Sequence, residues 1–272
     1  MQKQHELRLS LVQAPLVWEN PKANWQYFEN KLKNLAHKTD VVVLPEMFNT
    51  GFSMQSEKLA EQAEGPTFKW MQKMAKLLNA AITGSVITAE NGSYYNRLYW
   101  VEPDGNFKFY NKRHLFRMAG EHQFFSQGTE RLVVSYKGFN IMPLVCYDLR
   151  FPVWSRNKNQ INQTRTEVSP EYDLLIYVAN WPKPRTAPWS SLLVARAIEN
   201  QAFVAGVNRV GVDGNQVEYD GASALIDPKG EIISDIKLGE EAVKTYTIRL
   251  KELNDFREKF PVGLDADGFE IK

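Results

Sequence analysis

Apolar and polar positions along this chain follow two periods. From Leu7 to Val12 they alternate, the two-residue period of a half-buried strand. Trp25, Phe28, Leu32, Leu35 and Ala36 then recur at spacings of three and four, which predicts an amphipathic helix. Val41 to Leu44 is an unbroken apolar run closed by Pro45, the pattern of a strand covered on both faces, and it delivers Glu46 at its carboxyl end. Pro66 opens a second helix carrying Phe68, Met71, Met74 and Leu78, because proline is tolerated in a first turn. Ala81 to Thr88 and Leu98 to Val101 read as strands, with an Asp104-Gly105 turn behind them.

The second half repeats this order. Leu132 to Ser135, a Lys137-Gly138 turn and Ile141 to Cys146 precede an irregular or helical stretch; then come Leu174 to Ala179, a helix from about Trp189 to Asn200, and Phe203 to Asn208. The duplicated alternation predicts an α/β fold: two similar sheets, each with helices on one face, packed sheet to sheet. One doubly wound sheet is the alternative. Asn157 to Glu171, rich in Asn, Gln and Thr, reads as an exposed loop or frayed helix, and no linker divides the chain, so residues 1–272 are read as one domain. The tail 251–272 carries Phe256, Phe260 and Phe269, too apolar for simple disorder, and is expected to dock, with a partner subunit as one candidate surface.

Composition narrows the function classes. Thirty-three Lys and Arg face 32 Asp and Glu, a formal charge of +1, so no general field favours nucleic acid or an anionic membrane as partner. The longest apolar runs fall far short of the roughly 20 residues of a membrane helix. One cysteine, Cys146, cannot form an intrachain disulfide, and the start Met1-Gln2-Lys3-Gln4-His5-Glu6 leads into no apolar leader, so a reducing cytoplasm is expected. The common phosphate-cradling, dinucleotide and zinc motifs are missing, and four scattered histidines offer no ligand spacing; no cofactor and no metal is expected.

What remains is a set of polar residues where buried strands run out, the place at which layered α/β folds build sites. Cys146 ends Ile141-Met142-Pro143-Leu144-Val145, Glu46 ends its own buried run, and Lys112 stands in Asn111-Lys112-Arg113-His114-Leu115-Phe116. Each alone has an ordinary explanation: an inert buried thiol, a solvated carboxylate, an exposed cation.

Together, in this order and 66 and 34 residues apart, Leu44-Pro45-Glu46, Asn111-Lys112-Arg113-His114 and Leu144-Val145-Cys146-Tyr147-Asp148-Leu149-Arg150-Phe151-Pro152 resemble the Glu-Lys-Cys triad of the nitrilase, or carbon–nitrogen hydrolase, superfamily. The likeness extends through Tyr94-Tyr95-Asn96, Val178-Ala179-Asn180-Trp181-Pro182 and Ala195 to Asn200 as far as Asp227-Pro228-Lys229-Gly230. It implies a two-sheet αββα sandwich that forms a homodimer, with Glu46, Lys112 and Cys146 as catalytic residues and Glu121 at the position of the family's second glutamate. Such a triad suits amide hydrolysis: a carboxylate takes the thiol proton, an ammonium favours the thiolate and the oxyanion, and the backbone N–H of Tyr147 adds a second oxyanion donor. Arg150 is expected to form a structural pair beneath the site, and His114 to serve packing or hydrogen bonding.

Within the superfamily, His114 to Ala119, Asn180-Trp181-Pro182-Lys183-Pro184-Arg185 and the tail look most like the bacterial omega-amidases. That resemblance implies cleavage of the terminal amide of 2-oxoglutaramate and 2-oxosuccinamate to the acid and ammonia. Arg185 is the candidate for the distal carboxylate, with Trp181, Phe116 and Phe48 as apolar walls. A nitrilase, N-carbamoylase or aliphatic amidase would use the same triad, and a non-catalytic interaction protein would leave Cys146 inert.

Overall fold

The computed structural model describes residues 5–164 and 166–271; the leader reading at Met1 to Gln4 therefore lies outside the described residues, as does the end of the tail at Lys272. β-Branched and aromatic runs form two large sheets, beside two small two-stranded ribbons among the described residues. In the first, Glu6–Gln13, Val41–Val43 and Ala81–Glu90 run parallel, and Ser93–Val101 and Phe107–Asn111 extend them antiparallel. In the second, Phe139–Val145, Leu174–Ala179 and Phe203–Asn208 run parallel, with Val134–Tyr136 and Ala224–Ile226 antiparallel at the edges.

Side-chain parity makes the layers. In the strand Val41–Val43, Val42 packs outward with Phe28, Leu32, Met71 and Met74 of the helices Pro21–Leu32 and Pro66–Leu78. Val41 and Val43 point inward and meet Ile141, Leu144 and Ile176 of the second sheet. Trp189, Leu193 and Ala197 of the helix Thr186–Asn200 close the fourth layer. Gly206 permits that approach, since a Cβ there would lie 2.5 Å from a Leu193 methyl and 2.9 Å from the Trp189 ring. The arrangement is αββα, and the single doubly wound sheet is excluded.

Several boundaries move. The first helix ends at Leu32, continuing as a tight turn over Lys33–Leu35, and the helix expected from Trp189 starts at Thr186, with Pro188 in its first turn. The 157–171 stretch is more ordered than a loop: Gln160–Ile161 pairs with Val168–Ser169, and the buried Asn157 amide donates to the Tyr172 carbonyl at 3.0 Å. An unforeseen strand, Ala242–Arg249, returns to the first sheet and pairs along the whole of Glu6–Gln13. The tail then forms the helix Leu250–Lys259, docked on its own chain by the buried Leu253 and by an Arg257–Asp173 ion pair at 2.7 Å. Glu46, Cys146 and Asn180 thereby emerge at the carboxyl ends of parallel strands, along one edge of the sandwich.

Candidate active site

Lys112 follows directly on the strand Phe107–Asn111, its N–H held by the Asn96 carbonyl at 3.0 Å. Its ammonium is fully buried between two carboxylates, 2.9 Å from Glu46 Oε1 and 3.0 and 2.9 Å from the two oxygens of Glu121. Glu121 comes from a loop that can lie against the strand end because residue 128 is glycine: a Cβ there would sit 2.1 Å from the Asn111 carbonyl oxygen. Asn96 donates to Glu46 Oε1 at 2.8 Å and to Glu121 Oε1 at 3.3 Å, tying the two acids together. From the second sheet the Asn180 N–H donates to Glu46 Oε2 at 2.8 Å, and its side-chain amide donates to the Glu46 carbonyl. A carboxylate offers about four lone-pair sites. Two on Oε1 and one on Oε2 of Glu46 are filled, which leaves an acceptor on Oε2.

Charge balance shapes the titrations. Burial by itself would drive the Lys112 ammonium down, but the Glu121 and Glu46 carboxylates outweigh it and hold the lysine well above its ordinary value, so it stays charged. Burial pushes the Glu121 carboxyl up, with Lys112 opposing. Cys146 is held well above the ordinary thiol range, first by burial and then by Glu46, while Lys112 pulls the other way. The ammonium thus favours the thiolate as expected, but burial and Glu46 outweigh it and push the thiol up, which makes a base beside the sulfur the more important.

Cys146 sits where the strand Phe139–Val145 breaks into a tight turn over Cys146–Arg150, and its φ of +45° lies in the left-handed region. A non-glycine residue leaves that region unless its surroundings hold it. Cys146 lines the floor of a cavity of about 1000 Å³, with Glu46, Lys112 and Glu121 buried behind it. Tyr147, Phe116, Trp181 and Arg185 line the same cavity, Phe116 lying edge-on to Tyr147 at 5.0 Å. The Arg185 guanidinium lies 5.5 Å from the Phe116 ring centroid and within 2.9 Å of Met118 Sδ.

Two expectations fail. Phe48 is no wall: the left-handed turn at Met47 sends its ring into the helix layer, 5.7 Å from Phe28 and 5.6 Å from Trp70. Phe52 lines the cavity instead, 5.3 Å from the Lys112 nitrogen. Arg150 lies at the cavity, not beneath it, exposed and stacked 5.2 Å over Trp181, because the tight turn carries it outward; Arg196 occupies the buried place, donating to the Leu149 carbonyl at 2.6 Å. His114 does pack and hydrogen-bond, stacked on Phe151 and 2.8 Å from Asp148. Sequence reading also passed over Asn96 and Asn180 as site residues; an asparagine inside or just after a buried strand is the signal that could have found them. Among the described residues, no group of three or more His, Cys, Asp or Glu side chains is gathered as metal ligands.

An αββα sandwich with a buried Glu-Lys-Glu cluster behind a cysteine is the architecture of a carbon–nitrogen hydrolase, and the chain belongs to that family, whose sequence model matches residues 8–258. Among its relatives is omega-amidase YafV of Escherichia coli, 46% identical over 97% of this chain and 98% of that protein. The 2-oxoglutaramate amidase of Bacillus subtilis is 34% identical, with 93% of this chain and 95% of that protein covered. A carbon–nitrogen hydrolase superfamily protein from Xanthomonas campestris, crystallised with an arsenic adduct in its active site, superposes with a TM-score of 0.94 at 47% identity, over 98% of this chain and all of that one.

Proposed function

We propose that this chain is a thiol amidohydrolase that cleaves the terminal amide of small 2-oxo dicarboxylic monoamides, 2-oxoglutaramate and 2-oxosuccinamate, to the acid and ammonia. The observation that carries the reading is the buried Glu46–Lys112–Glu121 cluster beside a cysteine that opens onto the cavity. The names of the relatives support the substrate class.

In this reading the Cys146 thiol gives its proton to the free acceptor on Glu46 Oε2 as sulfur attacks the amide carbon. The oxyanion is met by the Tyr147 N–H and by Lys112, which gives up part of its contact with the glutamates to reach it. As the C–N bond breaks, Glu46 returns the proton to the departing nitrogen, leaving a thioester on sulfur. Glu46 then takes a proton from water as the hydroxyl adds to the thioester carbon; C–S cleavage releases the acid, and the proton returns to sulfur. Glu121 keeps Lys112 in place. At the mouth, Lys183 is already paired with Glu218 at 2.8 Å, whereas Arg185 and Arg150 rest on aromatic rings, with the Arg185 guanidinium bonded only to the weak acceptor Met118 Sδ among the described residues, so both guanidiniums are available to a substrate carboxylate. Trp181 and Phe116 flank the chain between.

Ammonia release from a panel of monoamides, hexanamide, aliphatic nitriles and N-carbamoyl amino acids tests this. The 2-oxo monoamides should give the highest kcat/KM; preference for a nitrile, a carbamoyl compound or a neutral amide would overturn the substrate class, and no turnover of any of them would overturn the chemistry.

The same reading makes residues 1–272 one domain working as a cytoplasmic homodimer, with the tail near the subunit contact. In support, Ile198 and Phe260 are exposed on the outer face of the second half, and the catalytic thiol must stay reduced. A monomer by sedimentation velocity would refute the dimer.

A further inference from the structure

The reaction needs Glu46 and Lys112, carried by the first sheet, to meet Cys146 at the end of a strand in the second. Asn180 makes one tie across that gap by holding Glu46. A second tie involves a residue given no role so far. Asp148, fully buried, accepts the Tyr110 O–H at 2.8 Å and the Val145 N–H at 3.1 Å on Oδ2. On Oδ1 it meets the His114 N–H at 3.0 Å and His114 Nδ1 at 2.8 Å. These partners bracket the reacting groups: Tyr110 and His114 stand two residues either side of Lys112, and Val145 directly precedes Cys146.

We propose that Asp148 is a positioning residue for the reaction, its carboxylate clamping the turn that begins at Cys146 to the 110–114 segment that carries Lys112. The proposal rests on the functional reading above. Its geometry has little slack. The Tyr110 oxygen also accepts the Arg113 N–H at 3.1 Å and Trp154 Nε1–H at 3.0 Å, so it cannot rotate away, and burial and the Asp148 charge keep its phenol protonated as a donor. The His114 ring is fixed by stacking on Phe151, centroids 3.8 Å apart and planes within 7°. The Val145 N–H bond pins the strand end just before the left-handed Cys146; without it, the turn can relax and carry sulfur away from Lys112. Only a carboxylate serves. Oδ2 faces two donors and Oδ1 faces the His114 N–H, so an amide would set its NH₂ against at least one donor whichever way it turned.

Asp148→Asn, Tyr110→Phe and the double variant test this. Melting curves first establish that each is folded; kcat and KM for 2-oxoglutaramate and the pH profile of Cys146 alkylation by iodoacetamide follow. Because a misplacement of about 1 Å costs on the order of 10²-fold in rate, D148N should lower kcat by about that factor with KM nearly unchanged. Y110F, which removes one of the four contacts, should lower it several-fold, and the double variant should be no worse than D148N, since both cut one link. The alkylation profile should move to higher pH as Lys112 loses its hold beside the thiol. A folded D148N with wild-type kcat and an unshifted profile would overturn the clamp. If D148N does not fold, Y110F decides alone by the same two readouts. Should wild type hydrolyse no amide, the functional reading fails, and the alkylation profiles still decide whether Asp148 sets Cys146 against Lys112.

Discussion

The two edges of the sandwich use the same residue types to opposite ends. At the amino edge, Asp40 precedes the strand Val41–Val43, takes three hydrogen bonds from Arg8 at 2.9 to 3.0 Å, and is bound by Lys137 from the second sheet. Arg8 and Lys137 keep 39% and 45% of their side chains in water, so the assembly loses little hydration in forming. At the carboxyl edge, Glu46, Lys112 and Glu121 are wholly desolvated, and the cluster is an acid too many. Solvated ion pairs with a surplus of cation make a fastening; a buried set with a surplus of carboxylate places an acceptor oxygen beside the thiol and pushes the thiol up. Depth and charge count, not residue identity, separate structure from chemistry here.

The sharpest break removes the proposed nucleophile. Cys146→Ala should abolish ammonia release while leaving the melting temperature unchanged or higher, because relief of crowding beside the carboxylates offsets the small packing loss; residual turnover above one-hundredth of wild type would overturn the thioester route. Glu46→Gln should be as inactive, since an amide cannot accept the thiol proton. For Lys112→Met the expected loss is at least the roughly 10²–10³-fold of one oxyanion donor, joined by a drop in stability of about 3–5 kcal/mol from two buried carboxylates left unpaired. Loss of activity without loss of stability would mean that the carboxylates shed their charge at little cost, and the contrast between the edges would weaken.

How far the sequence discloses this contrast depends on the signal each part leaves. The parallel strands and the candidate site residues at their ends were legible, because a β-branched run ending in Glu46 or Cys146 breaks pattern abruptly. The strand Ala242–Arg249 was not: it is an edge strand with charged outward positions, and only Ile248 is deeply buried. Phe48 was misplaced because strand parity does not survive a left-handed residue, here Met47, and nothing in the residue type marks that turn. Arg150 was misjudged for a related reason, since a tight helix rotates side chains differently from an α-helix and turns the fifth residue outward. Asp40 with Arg8 and Lys137 is a contact between distant segments, invisible to any local period.

A smaller effect belongs to the cavity mouth. If Arg185 pairs with the substrate carboxylate, Arg185→Met should remove a charge-assisted contact of about 1.5–3 kcal/mol, or roughly 10–150-fold in kcat/KM for 2-oxoglutaramate by the usual conversion. Hexanamide, with no carboxylate, should lose almost nothing. Equal losses on both substrates would assign Arg185 to shaping the cavity, and Arg150→Met would then be expected to discriminate in its place.

The smallest change tests the fastening at the other edge. Burial by itself raises the Asp40 carboxyl, but the bonds from Arg8 and Lys137 outweigh it and bring the group from 3.8 down to about 2. A carboxyl whose folded value is depressed contributes stability above its unfolded value, and that contribution disappears as pH falls through the folded value. Asp40 should therefore stabilise the protein fully at neutral pH, with the contribution fading between about pH 4 and pH 2. Because its cations are well hydrated, Asp40→Asn should cost only up to about 1 kcal/mol at pH 7, read as a lower denaturation midpoint, and the difference from wild type should close in that acid window. Neither kcat nor KM should change, since the substitution lies at the far end of the strands from Cys146. A fall in kcat at unchanged stability would show that the two edges are coupled along the strands that join them, and the division between fastening and chemistry would have to be redrawn.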